Sequence, residues 1–179
     1  MRKLTVIMKS CFIIGPIGDE GSETRQRSDK IFKHLIEHVA KECYYNVVRA
    51  DEISEPGFIN LQIIQHLIND DLVIADLTEN NSNVYYELGI RHAVNKPVIT
   101  IIEIGESISF DVAQMRTITV DHKDLNSVAK CKDNLIKYIR SVEKNPAKYY
   151  SPIHIAIDLQ SLYRFENLLK KSNVEIISQ

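Results

Sequence analysis

The residues best placed for chemistry sit in one run, Asp76-Leu77-Thr78-Glu79-Asn80-Asn81-Ser82-Asn83-Val84-Tyr85-Tyr86-Glu87-Leu88-Gly89. Asp76 follows an apolar stretch, so its carboxyl leaves the end of a buried strand. Asn81, Ser82 and Asn83 are residue types that start helices by accepting hydrogen bonds from free backbone N–H groups. Glu87 then falls in about the first turn of that helix, where the helix dipole favours an ionised carboxylate. A carboxylate that stays ionised can attack an anomeric carbon. The same residues also serve plain electrostatics and plain capping, so spacing alone leaves both roles open. Gly89 is poor for helix propensity, which points to close approach by a chain segment or a ligand.

Two further segments are candidates for holding an anion. The loop Gly15-Pro16-Ile17-Gly18 is followed by Arg25 and Arg27. Glycines let backbone N–H groups approach an anion, and arginines add fork-shaped donors. It is neither a Walker A sequence, lacking Gly-Lys-Ser/Thr, nor a dinucleotide fingerprint, lacking the GxGxxG spacing. In Arg49-Ala50-Asp51-Glu52, Arg49 would hold a phosphate or Asp51 a ribose hydroxyl; an ion pair between neighbouring segments is the competing reading. Arg91 and His92 follow Glu87 by one helical turn, but positions four and five later need not face the same side, so His92 is expected to be structural or superficial.

The elements that must position these groups alternate. Cys11–Ile14, Asn46–Ala50, Leu72–Ala75 and Val98–Ile102 are apolar runs of strand length, and Met115–Val120 is a possible fifth. Between them, helical spacing marks helices from about Arg27 to Cys43, over Ile59–Ile68, from about Val84 to Val94, and over Leu125–Ile139. Continuous apolar strands alternating with helices imply a doubly wound, flavodoxin-like parallel sheet of four to five strands with helices on both faces. Ligands sit at the carboxyl ends of such strands, so the loops after Ile14 and Ala75 are expected to line one crevice. The catalytic domain is expected over residues 1–145. Leu159, Leu162, Phe165, Leu168 and Leu169 give 146–179 as a helical extension.

Bulk composition narrows the function. With 179 residues, 22 Lys plus Arg and 24 Asp plus Glu, the net charge is -2. That balance argues against a nucleic-acid polymer as partner. The three cysteines form no CxxC pair, so no metal site or disulfide framework is expected. No apolar run approaches the roughly 20 residues of a membrane span, and none makes a signal peptide, so no membrane is expected and the location is expected to be cytoplasmic.

The run ADLTENNSNVYYELGIRHAVNKPVI resembles the nucleoside 2-deoxyribosyltransferase superfamily, particularly the branch of deoxynucleoside 5′-monophosphate N-glycosidases and its bacterial relatives. FIIGPIG, with Arg25 and Arg27 after it, is similar to that family's first substrate-binding loop. The segment Phe110-Asp111-Val112-Ala113-Gln114-Met115-Arg116 resembles TIR-like bacterial relatives that cleave or cyclise NAD. The resemblance covers roughly residues 11–140. It implies Glu87 as nucleophile, Asp76 as orienting the sugar or assisting the leaving base, and Tyr86 as positioning Glu87 or stacking on a base. It further implies no cofactor, a nucleotide or dinucleotide substrate, and a homodimer. Where nucleoside transferases of the family carry an Asp six positions before the nucleophile, this chain has Asn81. A neutral residue there suits a phosphate better than a second anion would.

Three functions follow as expectations. The leading one is an N-glycosidase that cleaves the base–sugar bond of a 5′-phosphorylated nucleotide through a carboxylate nucleophile. The alternatives are a TIR-like NAD hydrolase or cyclase of bacterial defence, and a non-catalytic nucleotide sensor.

Overall fold

Apolar runs of strand length become a five-stranded parallel sheet in the computed structural model, which describes residues 8–54, 56–145 and 151–177. In chain order the regular elements are β1 (Lys9–Ile14), α1 (Glu23–Ile31), a wider π-helical turn (Phe32–Ile36), α2 (Glu37–Glu42), β2 (Tyr45–Arg49) and α3 (Ile59–Asn69). There follow β3 (Leu72–Asp76), α4 (Ser82–Ala93), β4 (Val98–Glu103), β5 (Thr117–Val120), α5 (Leu125–Lys144) and α6 (Pro152–Ile177). The strand order is β2-β1-β3-β4-β5. This is the expected flavodoxin-like, doubly wound fold, and the order reverses between β1 and β3.

Strand alternation divides the core into two layers. Cys11 and Ile13 of β1, Leu72 and Ile74 of β3, and Ile99 and Ile101 of β4 pack under α1, α2 and α5. Phe12 and Ile14, Val73 and Ala75, and Val98 and Ile102 face the other way, against Leu67 of α3 and Val84 and Leu88 of α4. Successive side chains of a strand point to opposite faces, so this division follows directly from the strand sequences.

Helix starts differ from expectation, and local capping explains why. The first helix begins at Glu23 rather than near Arg27, because Ser22 Oγ accepts the Arg25 N–H at 3.1 Å. α4 begins at Ser82 rather than near Val84, because Asn81 Oδ1 accepts from the N–H groups of Asn83 (3.0 Å) and Val84 (3.4 Å). β5 begins at Thr117 rather than Met115, whose carbonyl instead accepts from Thr117 Oγ1 at 3.5 Å.

α6 is joined to the domain through its first turn. Ser151, fully buried, donates Oγ–H to the His92 carbonyl at 2.6 Å, and its N–H donates to Asn95 Oδ1 at 3.2 Å. The boundary expected after residue 145 falls at residues 146–150, which lie outside the described residues. No helix among the described residues is long and apolar enough to cross a membrane.

Candidate active site

α3 and α4 lie side by side on one face of the sheet, and both start near the carboxyl ends of the strands that precede them. Between them runs a groove of about 400 Å³, lined by Asn60, Ile63, Ile64 and Leu67 of α3 and by Asn83, Tyr86, Glu87 and Ile90 of α4. Glu87 supplies the one carboxylate among these lining residues. No described residue gives it a hydrogen bond or an ion pair. Its surroundings are mostly aliphatic, and burial pushes its pKa up to about 7. Tyr86 stands at the rim, 68% exposed, with its ring free to meet a flat ligand.

The start of α4 at Ser82 puts Glu87 in the second turn of the helix, past the free N–H groups of the first. The expectation that the dipole would hold this carboxylate ionised is therefore corrected. Distance from the N-terminus weakens the dipole, and the aliphatic groove favours the neutral acid.

The groove is held in shape by Arg91, fully buried on α4. Its Nη1 donates to the carbonyls of Leu67 (2.7 Å) and Asp70 (2.9 Å) at the end of α3, and its Nε donates to the Pro97 carbonyl at 3.2 Å. His92 next to it is buried, and burial lowers its pKa. Its carbonyl holds Ser151, in line with the structural role expected for it.

Asp76 is on the other side of the sheet. It continues the Leu72–Ile74 side of β3, so its carboxyl points towards α1 while α4 covers the opposite face. There Arg27 grips it bidentately, Nη1 to Oδ2 at 2.8 Å and Nη2 to Oδ1 at 3.1 Å. The same guanidinium reaches Glu103 Oε2 through Nε at 3.1 Å and Thr78 Oγ1 through Nη2 at 2.6 Å. Burial pulls the Arg27 pKa down, but the hydrogen bonds and charges of Asp76 and Glu103 more than reverse this and leave it raised. Glu103 Oε1 in turn pairs with His122 Nδ1 at 2.9 Å.

The remaining candidates form a third group. Arg49, 4% exposed, binds Asp51 Oδ1 through Nε at 2.6 Å and Asp29 Oδ1 through Nη2 at 2.7 Å. Arg25, more exposed, pairs with Asp29 at 3.2 Å and Asp51 at 2.8 Å. Hydrogen bonds to Arg49, against some opposing desolvation, lower the Asp29 pKa. Gly18, at φ 70°, is folded onto the start of α1, where an added Cβ would fall 2.7 Å from Ser22 Oγ. A Cβ on Gly15 would likewise sit 3.0 Å from the Asp76 Cβ. The loop Gly15–Gly18 thus closes over the Asp76 and Ser22 side of the sheet, with Pro16 and Ile17 between.

The single crevice expected from the sequence is therefore three sites. Asn83, Tyr86 and Glu87 share the α3–α4 groove, with Asn81 and Ser82 at its helical start. Asp76 and Arg27 form a buried cross-link, and Arg25, Arg49 and Asp51 form a compact ion-pair cluster. Asn60, Ile63 and Ile64, absent from the sequence-based candidates, supply the second wall of the groove. Helical spacing marks Ile63 and Ile64 only as part of the second helix, and the neighbouring helix is what brings them to face Glu87. Glu103, Asp121 and His122 also bring potential ligand atoms within 4.8 Å of one another, but Arg27 and His122 already occupy the Glu103 carboxylate.

No protein-family model matches the chain, and no curated protein matches it in sequence. Among solved structures it is similar to the CMP N-glycosidase BcmB of Clostridium botulinum, with a TM-score of 0.50 and 14% identity over 70% of this chain and 98% of that one. It is also similar to a 2-deoxyribosyltransferase of Bacillus psychrosaccharolyticus, with a TM-score of 0.48 and 16% identity over 66% of this chain and 95% of that one. At 14% identity the likeness to BcmB concerns the α/β fold alone.

Proposed function

We propose that this chain is an N-glycosidase that cleaves the base–sugar bond of a 5′-phosphorylated nucleotide, with Glu87 as nucleophile. The observation that carries the reading is a half-buried carboxylate, without a hydrogen bond or ion pair among the described residues, facing a groove with an aromatic rim. The Glu-Leu-Gly motif resemblance and a fold shared with a CMP N-glycosidase support it.

In the first step the Glu87 carboxylate attacks the anomeric carbon. The C–N bond breaks, and the base leaves with the bonding pair and takes up a proton. Water then attacks the resulting glycosyl ester and returns the free carboxylate and the sugar phosphate. Tyr86 would stack against the base, as its exposure allows. The N-terminus of α4, at Ser82 and Asn83, is a natural place for the 5′-phosphate, since its N–H groups and dipole favour an anion. Asp76 and Arg27, held together on the α1 side of the sheet, are assigned to positioning the β3–α4 loop. A homodimer is part of this proposal, supported by the apolar surface of α6.

The test is to incubate wild type and Glu87→Gln with a panel of nucleotides, their nucleosides and NAD, and to look for free base by chromatography. Base released from nucleotides by wild type alone is the expected result. Release by the variant at the wild-type rate overturns the nucleophile assignment. Release of nicotinamide from NAD with no turnover of nucleotides would transfer the reading to NAD cleavage.

A further inference from the structure

α3 has a second flank, turned away from Glu87, and it borders a cavity of about 420 Å³, as large as the α3–α4 groove. One wall is His66 and Asn69 of α3 with Asp70, which caps that helix. The other is Val48 of β2 with Glu52 and Ile53, just after that strand. The His66 ring is fixed from two sides. It stacks on the fully buried Phe12 ring of β1, with centroids 4.7 Å apart and planes 7° apart. Its Nδ1 lies 2.9 Å from Asp70 Oδ2, and Asp70 is only 9% exposed. A carboxylate at Nδ1 holds the proton there and leaves Nε2 of the neutral ring as an acceptor. Nε2 has no partner among the described residues. Arg27 and Arg91 join separate elements, but His66 and Asp70 are four residues apart at the end of one helix, so their bond fastens no second element.

Charge and shape choose the ligand. The cavity is lined by the carboxylates of Glu52 and Asp70 and by neither lysine nor arginine, so it repels a phosphate and draws in a cation. The carboxylates belong to opposite ends. Glu52 follows the carboxyl end of β2, whereas α3 runs back towards the amino ends of the strands, where Asp70 precedes β3. Val48, paired in register with Phe12, gives the stretch between them an aliphatic wall. A ligand that matches has a positive group at each end and an apolar chain between. We propose that the cavity between α3 and β2 is a second binding site, for a linear aliphatic diamine or polyamine. One ammonium group donates to the Asp70 carboxylate and to His66 Nε2, the chain lies along Val48, and the other ammonium group pairs with Glu52. The site is separate from the Glu87 groove, and its occupancy is independent of the N-glycosidase reading.

The test is isothermal titration calorimetry of the full chain with putrescine, cadaverine and spermidine. At least one of these should bind with a Kd below about 1 mM, and butylamine, which has a single ammonium group, should bind about tenfold more weakly or worse. Glu52 makes no hydrogen bond or ion pair among the described residues, so Glu52→Gln leaves the fold as it is. That variant should weaken the diamine by about tenfold or more and leave butylamine within about twofold of wild type. Asp70→Asn should weaken both amines by about tenfold or more, and Glu52→Gln carries the test alone should Asp70→Asn fail to fold. Glu87→Gln should bind the diamine as wild type does. No saturable binding at about 10 mM amine overturns the site, and so does diamine binding that Glu52→Gln leaves unchanged. Loss of amine binding in Glu87→Gln would put the amine in the α3–α4 groove and overturn the proposal as well.

Discussion

Glu87 is set among Ile63, Ile64, Leu67 and Ile90, and that setting has two consequences for a carboxylate with a pKa pushed up to about 7. A nucleophile must be ionised, so kcat/KM should rise with pH through about 7 and level off above it; a fall over that interval would instead mark Glu87 as an acid. Burial raises the folded-state pKa above the unfolded one, so the group's contribution to stability is present at low pH and is lost as pH rises through about 7. Glu87→Gln should therefore abolish base release, yet gain about 2–4 °C in Tm at pH 8, from roughly 1 kcal/mol after allowing for partial exposure. Little change in Tm is expected below the unfolded carboxylate range. The arginines separate in the same way. Arg27→Ala strands the Asp76 and Glu103 carboxylates in a buried place and should cost about 3–5 kcal/mol in thermal or denaturant unfolding. Arg25 is half exposed in a charge cluster, so Arg25→Ala should cost under about 1 kcal/mol. With the phosphate at the start of α4 and Arg25 in a separate ion-pair cluster, the same variant should leave the Kd of a nucleotide within about twofold of wild type. A loss of about tenfold or more on the nucleotide alone would bring Arg25 to the phosphate and overturn the placement at α4.

At the scale of elements, the groove exists because α3 and α4 are fastened to each other. Arg91 does this by capping the carbonyl end of α3 from inside α4. Replacing it with Met keeps the aliphatic stem but leaves those carbonyls without their donor. The expected loss is several kcal/mol, together with a widened groove and a raised KM. The other end of α4 depends on Asn81. Asn81→Ala removes the cap and should cost about 1 kcal/mol, or about 2–4 °C in Tm. Asn81→Asp retains the capping oxygen and adds an anion. With a phosphate bound at the start of α4, it should raise KM for a nucleotide while sparing the nucleoside and the Tm. A Tm and a nucleotide KM that fall and rise together in both variants would leave Asn81 with capping alone.

For the molecule as a whole, α6 is the element whose described apolar side chains are largely exposed. An isolated helix of that length with exposed apolar residues gains little from folding alone. If the proposed homodimer forms through the apolar surface of α6, helical signal in far-ultraviolet circular dichroism should fall on dilution, and Leu162→Asp should hold it at the lower level at every concentration. The sheet and its two cores carry their own contacts, so catalytic activity per chain should not follow that loss if the groove is complete in one copy.

How much of this was written in the sequence differs by scale. The strands at Cys11–Ile14, Leu72–Ala75 and Val98–Ile102 and their alternating helices were legible, because apolar runs of strand length and amphipathic periodicity are local patterns. Glu87 was legible as a candidate because a capping run followed by Glu-Leu-Gly is local too. The start of α4 was not: whether Asn81 or a later residue accepts the first N–H groups depends on three-dimensional fit, and a two-residue shift moved Glu87 out of the first turn. The partners of each charge were out of reach as well. Arg27 meets Asp76 and Glu103 across large gaps in the chain, and Asp76 lies on the opposite face of the sheet from Glu87. Strand alternation dictates that face, but only the docking of α1 on one side and α4 on the other gives it meaning. Ile63 and Ile64 show the same limit, since periodicity marks a residue as apolar-facing while tertiary packing decides whether that face meets a core or a groove.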